Sequence, residues 1–315
     1  MVNQPQPEFT RALLHPKHWG VWFGFGFLAL LVNLLPHAAL IRLGRYLGKL
    51  SGHVAKRRVH IARVNVKLAF PEKSDQEVER FVEENIKNSG LALIETGITW
   101  FWPSWRFKRL IIEKDITPFK QHAENGKGVL VVSVHQLNLE ITGRAYAELG
   151  FPGYGVYRPH NNPVYDYIQI WGRTRCGNGV IDRTDLKKMI RMLKRGERLW
   201  YLPDHDYGRR KSVFVPFFAV EDACTTTGTS IIAKTSRCAL VPGSAFRNEN
   251  GQYEVLANQS IEDNFPYKDD VAAAAYINHY VEQVIMRAPE QWMWMHRRFK
   301  THPDETLRNS RYKNI

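Results

Sequence analysis

Two residues suited to proton transfer follow a short apolar run. Residues 127–134 are mostly aliphatic and β-branched, a pattern typical of a buried strand, and His135 comes directly after them. Glu140 follows after four intervening residues, near the start of a helix that we expect to end at Gly150 and Pro152. An imidazole can accept a proton, and a carboxylate can fix its tautomer. We therefore predict that His135 is a general base oriented by Glu140. No Ser or Cys nucleophile is evident beside the pair, so the substrate would supply its own hydroxyl.

Two polar clusters follow later predicted strands. They contain six residues that we expect to lie near His135: Arg158, Asn162, Asp166, Asp204, His205 and Asp206. The reason is that open α/β sheets bind ligands in the crevice at the carboxyl ends of their strands. Arg158 suits an anionic group. The second cluster, Asp204 to Asp206, could also ligate a metal. No further cluster stands at ligand spacing, so we predict no metal and a polar loop that shapes the crevice.

Strands and helices must position these residues. We predict strands at about 128–134, 153–157, 179–182, 198–203, 239–246 and 252–257. Helices are predicted at about 139–149, 162–175, 185–195, 228–237 and 269–287, and a capping box at Ser74 and Glu77 opens an earlier one. This order predicts an α/β fold with a mixed, mainly parallel central sheet flanked by helices.

The N-terminal region differs from the rest of the chain. Residues 19–35 are nearly all apolar, a length at the short limit for a membrane-spanning helix. Pro36 then interrupts, and residues 37–50 continue as an amphipathic helix. Most nearby cations follow the apolar segment, which places the bulk of the protein on the cytoplasmic side. We predict an N-terminal tail, membrane anchor helix and amphipathic continuation over 1–50 and an α/β domain over 51–315. The length of the apolar segment leaves a spanning and a half-inserted helix both open.

The charge of the chain indicates the kind of partner it binds, and its cysteines indicate the state of its thiols. The chain has 44 Lys and Arg against 31 Asp and Glu, a net charge of +13, which favours an anionic partner. It carries no zinc-finger, RNP-like or basic-zipper motif, so nucleic acid is disfavoured. The three cysteines are odd in number and widely spaced, which indicates reduced thiols rather than a disulfide framework.

In combination, these motifs resemble the late acyltransferases of lipid A biosynthesis, the lauroyl/myristoyl family. The resemblance runs from the N-terminal segment to Arg298. It rests on His135 with Glu140, Tyr157-Arg158-Pro159 with Asn162 and Asp166, the block Leu202-Pro203-Asp204-His205-Asp206-Tyr207-Gly208, and the block His296-Arg297-Arg298-Phe299-Lys300. Glycerolipid acyltransferases share only the His-x-x-x-x-Asp/Glu part. The resemblance implies a glycerolipid-acyltransferase-like fold at the inner membrane.

The same resemblance implies a reaction. His135 would accept the proton of a hydroxyl on a 3-hydroxyacyl chain of the Kdo-modified lipid A precursor. That oxygen would attack the thioester of a fatty acyl chain on acyl carrier protein. Glu140 would hold the imidazole, and the six residues of the two polar clusters would bind substrate. No cofactor, metal or nucleic acid is implied.

Three other functions stay open at this point. An acyl-CoA-dependent glycerolipid acyltransferase would use His135 and Glu140 but lack the later motifs. A membrane-anchored metallohydrolase would use both residues together with Asp204, His205 and Asp206. In a non-catalytic lipid-binding protein, His135 would be structural only.

Overall fold

The computed structural model describes residues 7–312. The first six residues of the predicted N-terminal region and the last three of the predicted α/β domain lie outside the described residues. Two short 3-10 helices, Arg11–Leu14 and Pro16–His18, are followed by four α-helices: α1 Trp19–Leu34, α2 His37–Val54, α3 Lys56–Ala69 and α4 Asp75–Phe101. The predicted capping box of Ser74 and Glu77 opens α4.

A sheet of seven strands forms the centre of the protein, in the order β1-β9-β8-β2-β5-β3-β4. The strands are β1 Ile111–Asp115, β2 Val129–Val132, β3 Tyr154–Tyr157, β4 Gly179–Asp182, β5 Arg198–Tyr201, β6 Ser212–Phe217, β7 Val220–Thr226, β8 Ala239–Arg247 and β9 Tyr253–Ala257. Every neighbouring pair in the sheet is parallel except β8 and β9, and β6 pairs with β7 in a separate antiparallel ribbon. The predicted mixed, mainly parallel sheet is confirmed.

Helices flank this sheet. They are α5 Ser104–Phe107, α6 Thr117–Glu124, α7 Leu139–Glu148, α8 Pro163–Thr174, α9 Leu186–Lys194, α10 Gly228–Ser236 and α11 Asp270–Met286. Strand β2 lies between β8 and β5 and is buried along its length. Its residues alternate between two hydrophobic clusters, Leu130 and Val132 in one, Val129 and Val131 in the other. Burial on both faces explains why this strand has no polar interruption.

The N-terminal helices pack onto α4. Gly48 of α2 and Gly90 of α4 meet where the helix backbones touch, since a Cβ on Gly90 would lie 2.5 Å from the Gly48 Cα. Leu28 and Val32 of α1 pack against Gly97 of α4. The predicted membrane-spanning helix is not supported, because no helix within residues 7–312 combines the length and the apolar character that crossing a bilayer requires.

Candidate active site

His135 lies just beyond the carboxyl end of β2, and a buried carboxylate from the neighbouring strand holds it. Asp204 follows β5, which pairs with β2 in parallel, so the two loops leave the sheet at the same edge. The His135 Nδ1 atom lies 2.7 Å from Asp204 Oδ1, and the His135 main-chain N–H donates to Oδ2 at 2.7 Å. Both atoms of His135 that face Asp204 are therefore paired with the same carboxylate.

The C-terminal segment completes the support of Asp204. The indole Nε1 of Trp292 donates to Asp204 Oδ2 at 2.6 Å. Trp292 reaches this position because the segment around it pairs with the loop after β2 through a bridge to Gln136. Burial alone would raise the pKa of the Asp204 carboxyl, but the charge and hydrogen bond of His135, together with smaller contributions from His205 and Trp292, lower that pKa well below its ordinary value. Asp204 is thus an anion at neutral pH.

This geometry sets the tautomer of His135. With Nδ1–H donating to the Asp204 carboxylate, the neutral imidazole carries its lone pair on Nε2. The side chain of His135 is 24% exposed, whereas that of Asp204 is fully buried. A base with one nitrogen tied to a buried carboxylate and the other available to a bound hydroxyl has the arrangement needed for proton abstraction.

The predicted contact between Glu140 and His135 is wrong, because Asp204 takes the orienting position. Glu140 lies in the first turn of α7 and accepts hydrogen bonds from Arg173 Nε at 3.0 Å and from Trp100 Nε1 at 2.9 Å. Burial would raise the pKa of Glu140, but the Arg173 guanidinium and the Trp100 hydrogen bond lower it. Glu140 therefore ties α7 to α8 and α4. Neither Arg173 nor Trp100 belongs to a motif from which this pairing could be predicted.

A stack of three imidazoles extends from the base. The rings of His135 and His205 lie 3.6 Å apart at 7°, and those of His205 and His296 lie 3.9 Å apart at 13°. Burial, followed by the charge of His135, lowers the pKa of His205 well below its usual range. Burial also lowers the pKa of His296, to about 4. These two rings are neutral at pH 7 and form an uncharged platform against the base. His296 was part of a sequence motif but was not predicted as a site residue.

The other predicted site residues divide into two groups. Arg158 faces a cleft of about 360 Å³ together with His135. Asn162 instead caps α8, accepting from the main chain of Val164 at 3.0 Å and of Tyr165 at 3.1 Å. Asp166 accepts from the His160 main-chain N–H at 2.8 Å. These two side chains fix the turn that follows Arg158, so their contribution is to position it.

The Asp206 carboxylate is also hydrogen-bonded within the protein. Its carboxylate accepts from the Thr301 main-chain N–H at 2.8 Å, the Thr301 hydroxyl at 2.9 Å and the Gly208 N–H at 2.8 Å. Its main-chain carbonyl accepts from Lys300 Nζ at 2.7 Å. Asp206 therefore anchors the loop that carries Asp204 to the C-terminal segment, which explains why polar residues occur at both places in the sequence.

The cleft beside His135 collects residues from four parallel strands. Its walls are formed by His135, Leu139, Val156, Tyr157, Arg158, Arg183, Tyr201, Leu202, Tyr207 and Thr226. Arg183 was not predicted, although an arginine directly after the fourth strand was a readable signal. Arg158 and Arg183 are both exposed, so the cleft combines apolar walls with two cations near the base. Such a site can hold an anionic molecule that also carries an apolar chain.

The metal alternative rests on the ligand atoms of His135, Asp204 and His205, which lie within 4.8 Å of one another. The fit is poor. The rings of His135 and His205 are stacked and nearly parallel, so their nitrogen lone pairs lie in two separate parallel planes and do not point to one common ion position. In addition, His135 Nδ1 is already bonded to Asp204.

The mainly parallel sheet and the His135–Asp204 pair at its edge define an α/β protein with a site suited to proton transfer, and comparison with known proteins gives its family. A model of the bacterial lipid A biosynthesis acyltransferases matches residues 6–301. The chain is 46% identical over 298 residues to the lipid A biosynthesis lauroyltransferase of Escherichia coli K12, covering 95% of this chain and 97% of that protein. It is 41% identical over 300 residues to the palmitoleoyltransferase of the same strain, with the same coverage of 95% and 97%. The lipid A biosynthesis myristoyltransferase of that strain is 27% identical over 313 residues, covering 98% of this chain and 95% of that protein. The chain belongs to the lipid A biosynthesis acyltransferase family.

Proposed function

We propose that this protein transfers a fatty acyl chain from acyl carrier protein thioester to the hydroxyl of a 3-hydroxyacyl chain on the Kdo-modified lipid A precursor. The observation that carries the proposal is the pairing of His135 Nδ1 with Asp204 at the edge of an open cleft. Family membership supports the acyl transfer and the lipid A class of acceptor. The donor and the exact acceptor are our inference.

The proposed reaction uses the free nitrogen of His135. The acceptor hydroxyl gives its proton to Nε2 while its oxygen attacks the thioester carbonyl. Asp204 stabilises the imidazolium that forms. The tetrahedral intermediate then collapses, the carbon–sulfur bond breaks, and the new ester remains on the acceptor. Because a thiol has a pKa of about 8.5, the thiolate is a good leaving group and can take the proton back from His135.

Two cations of the cleft suit the anionic groups of such an acceptor. Arg158 and Arg183 are exposed and line the cleft that contains His135. Phosphate and sugar carboxylate oxygens accept hydrogen bonds from guanidinium groups in a bidentate geometry. Through these contacts the acceptor hydroxyl would be held near Nε2. The net charge of +13 would also favour docking of an acidic carrier protein, with an on-rate that falls as salt rises.

We further infer that α1 rests in the headgroup and upper acyl region of a membrane. One face of this helix exposes large apolar side chains at helical spacing, which we call the α1 stripe: Trp19, Phe23, Phe27, Leu30 and Leu34. Phe23 is 72% exposed. The opposite face packs on α4 through Leu28 and Val32. A helix with one face packed on the protein suits half-insertion, and it would bring the cleft to the cytoplasmic face of the inner membrane where lipid acceptors lie.

The experiment is an acyl-transfer assay in detergent, with acyl carrier protein thioester and the Kdo-modified tetra-acyl precursor, read by mass spectrometry. We expect a mass gain of a fatty acyl unit that is lost in His135→Ala and unchanged by EDTA. Loss of activity with EDTA and its return with added metal would favour the metallohydrolase alternative. Transfer only from acyl-CoA to a lysophospholipid would favour a glycerolipid acyltransferase. Full activity of His135→Ala would reject the proposed base.

A further inference from the structure

A second, smaller cavity adjoins the cleft. It has a volume of about 80 Å³ and lies between strands β3 to β5 and helices α7 and α8. Leu139, Val156 and Leu202 line both the cleft and this cavity. Since the same three apolar side chains border both spaces, an unbranched acyl chain whose thioester lies beside His135 has a direct apolar route into the interior.

The wall of this cavity is unusually rich in glycine, and we call it the glycine-lined cavity. Its glycines are Gly143, Gly153, Gly155, Gly172 and Gly179. They lie on both layers: one on α7, one on α8 and the others in or beside β3 and β4. Protein interiors are normally close-packed by side chains that project between a helix layer and a sheet. The absence of side chains on both layers is what leaves the space open.

Two of these glycines have free space where a side chain would go. A Cβ on Gly143 would meet nothing within 4 Å, and one on Gly155 would meet only the Gly179 carbonyl oxygen at 4.0 Å. By contrast, a Cβ on Gly172 would lie 2.4 Å from the Trp100 ring, and one on Gly153 would lie 2.9 Å from the Arg198 carbonyl oxygen. Close packing therefore explains Gly153 and Gly172, whereas Gly143 and Gly155 only keep the cavity empty.

The polar groups in the wall do not prevent an apolar occupant. Glu140 and Arg173 are paired with each other, and Glu140 is also bonded to Trp100. The Arg144 guanidinium is bonded to the carbonyl oxygens of Thr99 and Trp102 and to the Glu148 carboxylate. With these charges compensated inside the protein, a hydrocarbon chain would leave no bare charge unsolvated.

From this we propose that the glycine-lined cavity holds the end of the donor acyl chain, and that Gly143 and Gly155 set its maximum length. This inference rests on the proposed function, because it takes the thioester to react beside His135. The volume of about 80 Å³ suits the end of the single acyl chain of a donor better than the several chains of a multiply acylated acceptor. The names of the relatives include lauroyl, palmitoleoyl and myristoyl transferases, so acyl length is a property that varies within this family.

The test is a competition among decanoyl, lauroyl, myristoyl and palmitoyl thioesters of acyl carrier protein, with product masses as the readout. We compare the wild type with Gly155→Val, Gly143→Ala and the control Gly24→Ala. Gly24 lies in α1, where a Cβ would also meet nothing within 4 Å, and is not part of the cavity. One methylene group in an apolar pocket changes the discrimination between two substrates by about 10-fold or more. In Gly155→Val, the ratio of kcat/KM for the preferred donor to kcat/KM for a donor two carbons shorter should therefore fall at least about tenfold.

A shift toward shorter donors in Gly155→Val or Gly143→Ala, with Gly24→Ala unchanged, supports the assignment. Donor ratios within about twofold of wild type in both cavity variants overturn it, even if the overall rate falls, because a purely structural defect slows all donors alike. If Gly155→Val does not fold, Gly143→Ala decides, since alanine is favoured over glycine inside a helix.

The same variants separate failure of this inference from failure of the proposed function. If the wild type transfers no acyl chain, we test the cavity by adding free fatty acids of increasing length and measuring the rise in melting temperature that each produces. Loss of that rise for the longest fatty acid in Gly155→Val supports the cavity assignment, and an unchanged length dependence overturns it.

Discussion

The imidazole of His135 is held by Asp204, a carboxylate that lies 69 residues later in the chain and 2.7 Å away in space. Asp204 accepts from three groups, His135 Nδ1, the His135 main-chain N–H and Trp292 Nε1. The buried carboxylate thereby fixes both the position and the tautomer of the His135 imidazole. Asp204, and not Glu140, therefore orients His135, and this changes the expected effects of substitutions at Asp204 and at Glu140.

Replacing Asp204 with Asn should remove the charge that stabilises the imidazolium while keeping the shape of the side chain. The amide of Asn presents either an N–H donor or an uncharged carbonyl oxygen to Nδ1, so the tautomer with the proton on Nδ1 is no longer fixed. We expect kcat to fall by roughly 10⁴-fold, the loss that the same substitution causes in a Ser-His-Asp triad. Steady-state kinetics and a thermal melt measure it. Activity within tenfold of wild type would show that Asp204 is not the orienter.

Replacing Glu140 with Ala should affect stability first. It leaves the guanidinium of Arg173 without its carboxylate in a largely buried site. Breaking such a pair from one side costs about 3–5 kcal/mol in the free energy of unfolding. The double variant Glu140→Leu with Arg173→Met should recover part of that loss, which urea unfolding can measure. A Glu140→Ala protein of wild-type stability without turnover would instead place Glu140 in the chemistry.

The stacked histidines predict how stability depends on pH. The pKa of His296 is lowered from 6.5 to about 4 in the folded protein, chiefly by burial. Between these values the unfolded chain binds more protons at this residue than the folded protein does, so stability falls as the pH drops from about 7 to about 4. In His296→Phe, which keeps a ring in the stack, the free energy of unfolding should fall less steeply over this range. Urea unfolding at several pH values tests this, and identical slopes would contradict it.

Arg158 should matter for substrate and not for folding. It is exposed and lines the cleft, so Arg158→Ala should raise the KM of the anionic acceptor or lower kcat, by about tenfold for the loss of a charge-assisted contact. The melting temperature should stay within a degree or two. Arg80→Ala, at another exposed arginine on α4, serves as the control. Wild-type kinetics for Arg158→Ala would remove Arg158 from the substrate site.

The α1 stripe predicts a membrane contact that point substitutions can weaken. Burying a Phe side chain contributes about 1.5–3 kcal/mol, so the double variant Phe23→Asp with Phe27→Asp should bind anionic vesicles at least about tenfold more weakly. Both side chains are exposed, so the fold should be retained. Val271→Asp, at an exposed apolar residue of α11, is the control in a vesicle co-sedimentation assay. Unchanged binding of the double variant would assign membrane association to another surface.

Local sequence patterns determined much of this protein. The mostly apolar run at 127–134 predicts a buried strand, which the structure forms over 129–132 with both faces covered. His135, directly after this run, predicts a polar group at the ligand edge of a parallel sheet. The capping box at Ser74 and Glu77 is equally local and is formed in the structure. These features could be predicted because each depends on residues within a few positions of one another.

Only the tertiary structure decided which carboxylate contacts the imidazole of His135. Only four residues separate Glu140 from His135, but the first turn of α7 directs Glu140 toward Arg173 and Trp100. Asp204 contacts His135 because β5, which precedes Asp204, pairs with β2. The order of strands in a sheet depends on the packing of the whole chain. The same holds for Trp292 and His296, which reach the site through the pairing of a distant segment with the loop after β2. Closeness in the sequence therefore suggested Glu140 as the partner of His135, whereas the packing of the folded chain made Asp204 that partner.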